Sequence, residues 1–379
     1  MKVHKRSSRS SILVGFILLF LILGAYFLRW GPLETLEYKF YDLGLFLRVR
    51  PAAAPIAIVA INDESIQKMG RWPWPRTQIA GMISMLNAAG AKVIGLSILY
   101  SEPDLNQGLL EIREILKKME ATPPPATGKR PSPVDQYVDR FSDIHGALKE
   151  AEKRLDNDAV LASSIEASKK MVLPFFVTLG KPVLMDSKDM AGYLLDNSLA
   201  SRGEFVPLEA RELIPPLPDF AAGALALGHI NLLSDRDGTL RSDPLFIAYG
   251  NRLFPSMGLQ LALKYLGYDL QDIVAVGDSR IRIRKISIPL YDDFRMLISY
   301  SGNYKVHSFV DVVNGKAPPE AFRGKIVIVA PAATGLGTLQ VTPVSVSVPS
   351  ALITANVIDN ILTQDHIVIP EWAMPLEIG

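Results

Sequence analysis

Residues 56–104 read IAIVAINDESIQKMGRWPWPRTQIAGMISMLNAAGAKVIGLSILYSEPD, and their pattern decides the fold. Ile56-Ala57-Ile58-Val59-Ala60-Ile61 is a short, unbroken apolar run, suited to a strand buried on both faces. Asn62-Asp63-Glu64-Ser65 ends it with polar groups. Arg71-Trp72-Pro73-Trp74-Pro75-Arg76 is a stiff corner, because each proline fixes its own φ and restricts the residue before it. Ile79, Met82, Ile83, Leu86 and Ala89 then recur at helical spacing, Gly90 stops that helix, and Lys92 to Leu99 is a second apolar strand. A parallel pair joined by a helix places both strand ends on one edge of a sheet. Asn62-Asp63-Glu64 and Tyr100-Ser101-Glu102 are therefore expected to be neighbours.

The 379 residues suffice for one large domain or two ordinary ones. Forty lysines and arginines nearly balance 39 aspartates and glutamates, so no strong field points to nucleic acid. There is no cysteine, which excludes disulfides, thiolate metal sites and a cysteine nucleophile.

At the N-terminus, residues 1–10 carry Lys2, Lys5, Arg6 and Arg9 and no acid. Ser11 to Leu28 is uncharged and almost wholly apolar, a length that suits a membrane span within residues 11–30, with Arg29 and Trp30 as interfacial anchors. The basic flank is expected to stay in the cytoplasm, as a tail over residues 1–10, which puts residue 31 onward outside the inner membrane. A cleaved signal peptide is the alternative, but the apolar run is long and no small-x-small site closes it.

Leu33 to Arg50 is expected to be a helix leaving the membrane, with Leu33, Leu36, Phe40, Leu43 and Leu47 as its apolar stripe. After Asp104, Leu105, Leu109, Ile112, Leu116 and Met119 step by four and three, as do Ile144, Leu148, Ala151 and Leu155. This predicts a helical-hairpin insertion over about residues 105–157, either projecting as an arm or lying flat on the sheet, around a loop rich in proline and basic residues. Asp158 is a candidate cap for a helix over residues 159–169. Met171 to Val177 is a third apolar strand.

Gly228-His229-Ile230-Asn231 opens another strand, Ser234 to Gly238 is a turn, and Leu240 to Tyr249 is expected to pair back. Pro255-Ser256 starts a helix to Leu266. Arg280 to Leu290 alternates as an edge strand with one wet face, Met296 to Tyr300 is a further strand, and Ser308 to Val313 a short helix. Gly324 to Ala330 is a buried strand running into Pro331-Ala332-Ala333-Thr334-Gly335-Leu336-Gly337. The fold class is therefore α/β: a mostly parallel buried sheet flanked by helices, with β-hairpins, an inserted helical hairpin and one N-terminal transmembrane helix.

The combination AINDESI, GRWPWPR, AGAKVIGLSILY and SEPD resembles the opening of the type-two CHASE domain, an extracellular sensor of bacterial adenylate and guanylate cyclases, histidine kinases and Ser/Thr kinases. Later blocks are similar to the same family: Gly228 to Asn231 with Asp235, Asp237-Gly238 and Arg241, then Gly324 to Gly337, Thr342-Pro343, and Ala355 to Leu362. The resemblance covers residues 38–372, and implies a membrane-anchored extracytoplasmic input domain over residues 31–372. It also implies a homodimer, a small-molecule or protein signal, and a cytoplasmic cyclase or kinase output. Residues 373–379 are expected to open a membrane or output region beyond this stretch. Six positions depart from the family pattern: Ala330 and Ser350 stand where it has Gly, and at four an ionisable group is replaced by a neutral one, Asn62, Ser97 and Thr338 standing where it has Asp and Thr354 where it has His. If those four ionisable positions form one site in the family, this chain has discharged it, and a carboxylate-rich metal site is not expected.

In open α/β sheets ligands bind at the carboxyl ends of the strands. The candidate ligand-binding residues are Asp63, Glu64, Trp72, Trp74, Arg76, Glu102, Ala333, Thr334, Gly335 and Asn356, with the amides of the 333–335 loop as potential anion donors. The simpler reading makes Asp63 and Glu64 helix caps, the loop a tight turn, and the tryptophans a packed corner. His229 and His307 show no partner at metal spacing, and no G-x-S-x-G is present, so no catalytic residue, metal or cofactor is assigned. Three functions stay open: a sensory binding module, an ectodomain enzyme acting on small anionic compounds, and a ligand-free dimerisation scaffold. The anchor and the missing nucleophile–base pattern favour the first.

Overall fold

The computed structural model describes residues 13–17, 24 and 31–368, apart from residues 49, 105, 122–132, 182–189, 202–206, 277–279 and 292–293. The membrane span expected over residues 11–30 and the terminal stretch from residue 369 therefore lie largely outside the described residues. Among the described residues, no helix is long and apolar enough to cross a membrane.

The centre is a seven-stranded sheet. In chain order its strands are β1 (Ile56–Ile61), β2 (Val93–Leu96), β3 (Met171–Leu179), β4 (Ala210–Ile214), β5 (Ala226–His229), β6 (Lys305–Ser308) and β7 (Ile326–Pro331). Their spatial order is β6-β1-β7-β2-β3, with β5 beside β3, and all of these pairs are parallel. Strand β4 alone runs antiparallel, against the end of β3. One row of the sheet reads Val306, Ile58, Ile328, Gly95, Val172 and Ala226. The order corrects one expectation. β7 lies between β1 and β2, so the segments after Ile61 and after Leu96 share an edge but are not neighbours. Parallel strands joined by helical crossovers need not be adjacent, and the run Ile326–Pro331 fits the gap because it too is apolar on both faces.

The longer helices are α1 (Gly31–Leu47), α2 (Asp63–Met69), α3 (Arg76–Ala88), α4 (Gln107–Ala121), α5 (Pro133–Leu155), α6 (Asn157–Ser168), α7 (Met257–Leu266) and α8 (Ser350–Thr363). Alternate residues of each central strand feed two cores. Ala57, Val59, Ile61, Ile94, Leu96, Val327 and Val329 face α3 and α6. Ile56, Ile58, Val93, Val172, Ile326 and Ile328 face α7 and α8. Each fully buried side chain of this size contributes about 1.5–3 kcal/mol.

Two glycines let α7 lie directly on the sheet. A Cβ on Gly95 would stand 2.9 Å from both Leu261 and Met257, and one on Gly228 would stand 2.6 Å from the Met257 Cα. The start of α7 is thereby held against the ends of β2 and β5.

Helices α4 and α5 form the antiparallel hairpin read from their spacing. Arg113 pairs with Glu152 and Asp156, and Glu120 lies near Lys149. Their extensive packing is on each other rather than along the sheet, which makes the hairpin a projecting arm.

Several local expectations change. Helix α6 is capped by Asp156, whose side chain accepts from the Ala159 amide, while Asp158 binds Arg76 and the Asp104 amide. On α1, Phe40, Leu43 and Phe46 are exposed and Leu45 is buried; Leu33, Leu36 and Leu47 of the expected stripe lie outside the described side chains. The 280–290 segment is a hairpin of Arg280–Ile283 and Ile286–Pro289, its isoleucines inward and Arg284 in the left-handed turn at φ 50°. Leu240 to Tyr249 does not pair with the 228–231 segment. Ser242–Pro244 pairs with Arg295–Leu297, and Phe246–Tyr249 with Arg252–Pro255.

Candidate functional site

The carboxyl ends of β2, β5 and β7 open onto a cavity of about 290 Å³. Helices α7 and α8 close it with their first turns. Ser256 caps α7, accepting from the Leu259 amide at 3.2 Å, and Ser350 and Thr354 come from the start of α8. Phe176, Ile230, Leu232, Met257, Pro331 and Leu336 supply apolar wall. The size is at the small end of ligand sites, and its place at the strand ends is where open α/β sheets bind ligands.

Three of the four replaced ionisable positions, Ser97, Thr338 and Thr354, line this cavity, as does Ser350. The fourth, Asn62, does not. Its Oδ1 accepts from the Ser65 amide at 3.0 Å, the Ser65 hydroxyl at 2.7 Å and the Ser308 hydroxyl at 2.9 Å, and so caps α2.

None of the ten candidate residues lines the cavity, and each has an internal role or an exposed side chain. Asp63 accepts from the Thr334 amide and hydroxyl at 3.0 and 3.1 Å, which closes the 332–337 loop onto α2. The Ala332 and Ala333 amides both donate to the Ile61 carbonyl at 2.9 Å, so this turn does not offer a free nest for an anion. Gly335 takes φ 77°, a conformation that favours glycine. Glu64 pairs with Lys68 at the surface.

Trp74 is buried on Phe309, donates its indole N–H to the Gly70 carbonyl at 2.8 Å, and meets Trp72 edge-on. Arg76 is buried between Asp158, the Glu102 carbonyl and the rings of Tyr100 and Phe220. The Glu102 side chain is exposed. Asn356 accepts from the Ser301 amide, the Ser301 hydroxyl and the Tyr304 hydroxyl, and donates to the Leu352 carbonyl.

Two ionisable residues of the cavity wall carry no role in the sequence reading. His229, at the end of β5, is 1% exposed and neither ring nitrogen makes a hydrogen bond of good geometry, while the Pro244 carbonyl beside the ring works against the effect of burial on its charge. Asp243 is 5% exposed, and its Oδ2 has no partner. Burial pushes the Asp243 carboxyl up to about 7, with the Ser256 hydroxyl offsetting part of that, and holds the His229 imidazole down at about 3. Ser256, His229 and Asp243 share this wall without forming a nucleophile relay, because the imidazole bonds to neither of the others. The available signal was Asp243 itself, the one acid inside the otherwise uncharged run 242–251. Among the described residues, no cluster of His, Asp or Glu could hold a metal ion.

The far end of α8 is tied to the segment that follows α1. Asp359 accepts from the Ala53 and Ala54 amides at 3.1 and 2.6 Å and pairs with Arg50. Arg50 Nε also meets Asp365 at 2.7 Å, and Arg48 pairs with the same carboxylate. One helix therefore joins the cavity to residues 48–54, the segment that follows α1.

The model of the CHASE2 domain family matches residues 17–379. CHASE2 domains are extracellular sensory domains and are not catalytic. No curated protein and no solved structure matches this chain.

Proposed function

We propose a sensory input role for this chain, which belongs to the CHASE2 domain family. In this reading residues 31–372 sit outside the inner membrane, anchored by the apolar segment 11–30, and regulate a cyclase or kinase output on the other side. The signal is a small molecule held in the cavity at the ends of β2, β5 and β7.

The observation that carries this is the position of α8. Its first turn, with Ser350 and Thr354, is cavity wall, and its last turns hold Arg50 through Asp359. A ligand that prefers one placement of that first turn would bias the whole helix, since a packed helix moves as a unit. The bias would reach α1 through Arg48 and Arg50, and so the span before it.

Reporter fusions test the placement. Alkaline phosphatase fused after residue 60 is expected to be active and a cytoplasmic reporter inactive at the same point. The reverse pattern would remove the extracytoplasmic reading.

A further inference from the structure

If the cavity is the sensory site, its wall restricts what the site takes. Among the described residues, no lysine or arginine lines it, and its ionisable side chains are Asp243 and His229. Both are more than nine-tenths buried, with Asp243 Oδ2 and both imidazole nitrogens unpartnered. A buried carboxylate oxygen needs a donor, and a neutral imidazole needs one acceptor and one donor. An anionic ligand would meet the Asp243 charge with no cation of the wall to offset it. The apolar side of the cavity, from Phe176 to Leu336, suits a compact hydrocarbon body.

We propose that the cavity binds a small organic cation, a compact apolar molecule with an ammonium or amidinium group, whose N–H groups donate to Asp243 Oδ2 while His229 accepts a further hydrogen bond. The charge-assisted bond supplies the donor that Asp243 lacks, and the ligand's hydrocarbon part displaces water from the aromatic and aliphatic wall.

The titration of the wall agrees with this geometry. His229 is uncharged near neutral pH, and the Tyr300 phenol, which feels Asp243, is kept neutral by burial. Asp243, at about 7, is then the group that changes charge between pH 6 and 8. A cation binds the ionised carboxylate, so its affinity rises with pH over that window, by about tenfold for a group centred there.

The experiment is calorimetric titration of the full chain in lipid nanodiscs with three probes of one shape: cyclohexylamine, cyclohexanol and cyclohexanecarboxylate. Cyclohexylamine is expected to bind at least tenfold more tightly than cyclohexanol, and the carboxylate more weakly than either. The amine's affinity should climb about tenfold from pH 6 to pH 8 while that of the alcohol stays level. Asp243→Asn should erase the preference and keep alcohol binding. Equal or tighter binding of the alcohol or carboxylate, or amine affinity indifferent to pH, overturns the cation and leaves the cavity as the site. Binding by none of the three overturns both. The pH series uses the unmodified chain, so the outcome stands even if Asp243→Asn fails to fold.

Discussion

Arg241 holds Asp42 through two parallel hydrogen bonds, Nε to Oδ1 and Nη2 to Oδ2, both 2.8 Å. The same guanidinium binds Asp235 and Asp237 and lies over the Tyr38 ring at 4.4 Å. Helix α1 is thus fastened to the 234–238 turn by a side chain only 3% exposed. Removing the arginine leaves three carboxylates facing one another. Arg241→Ala is expected to lower stability by about 3–5 kcal/mol in denaturant unfolding. Asp42→Asn, which keeps the other two partners, should cost about 1.5–3 kcal/mol. A loss below 1 kcal/mol for Arg241→Ala would mean that α1 is not fastened here.

The cluster also sets an acid response. Hydrogen bonding to Arg241 holds the Asp237 carboxyl at about 2, below its ordinary value. A group depressed in the folded state stabilises above its unfolded pKa and loses that contribution as pH falls through the folded one. Stability is therefore expected to fall between about pH 4 and pH 2, and the slope should flatten in Asp237→Asn. Unchanged slope in that variant would assign the acid transition to other groups.

The four replaced ionisable positions should behave as two sets. Asn62 only accepts hydrogen bonds in its cap, and aspartate can accept the same three. Asn62→Asp is expected to change stability by less than about 0.5 kcal/mol. Ser97→Asp, Thr338→Asp and Thr354→His together add charge beside Asp243 in the cavity. They should lower stability by about 1–3 kcal/mol, with recovery on adding a divalent cation. The unmodified chain should show no divalent-ion shift in thermal unfolding. A large shift there, or a cost confined to Asn62→Asp, would contradict this grouping.

The arm should be dispensable for folding. Leu109 and Leu116 are buried within it, and Asn106 ties its base by donating to the Leu155 carbonyl at 3.2 Å. Replacing residues 107–154 with a short linker is expected to preserve one cooperative unfolding transition. Loss of that transition would place the arm in the core.

The strands, the helical hairpin and the α7 start were legible because each is written in local periodicity and turn chemistry. Ile56–Ile61 is apolar throughout because both of its faces are covered, and Ser256 precedes its helix as a cap must. The strand order was not legible, since nothing local in Ile326–Pro331 says that it separates β1 from β2. For the same reason the candidate residues clustered around Asp63 and Thr334, which close a loop, while the cavity formed against Pro331, Leu336 and Gly337 of that loop and the ends of β2 and β5. Asp243 and His229 were passed over because they belong to separate short segments that meet through tertiary packing around Ser256.

Occupancy of the cavity is expected to be felt along α8. Hydrogen–deuterium exchange of the full chain, with and without whichever cyclohexyl probe binds, tests it most directly. Exchange is expected to slow at residues 230–231 and 338–340 and in the first turn of α8, and to change at residues 48–54 and 359–365. Exchange that changes only around the cavity, with residues 48–54 and 359–365 untouched, would contradict it.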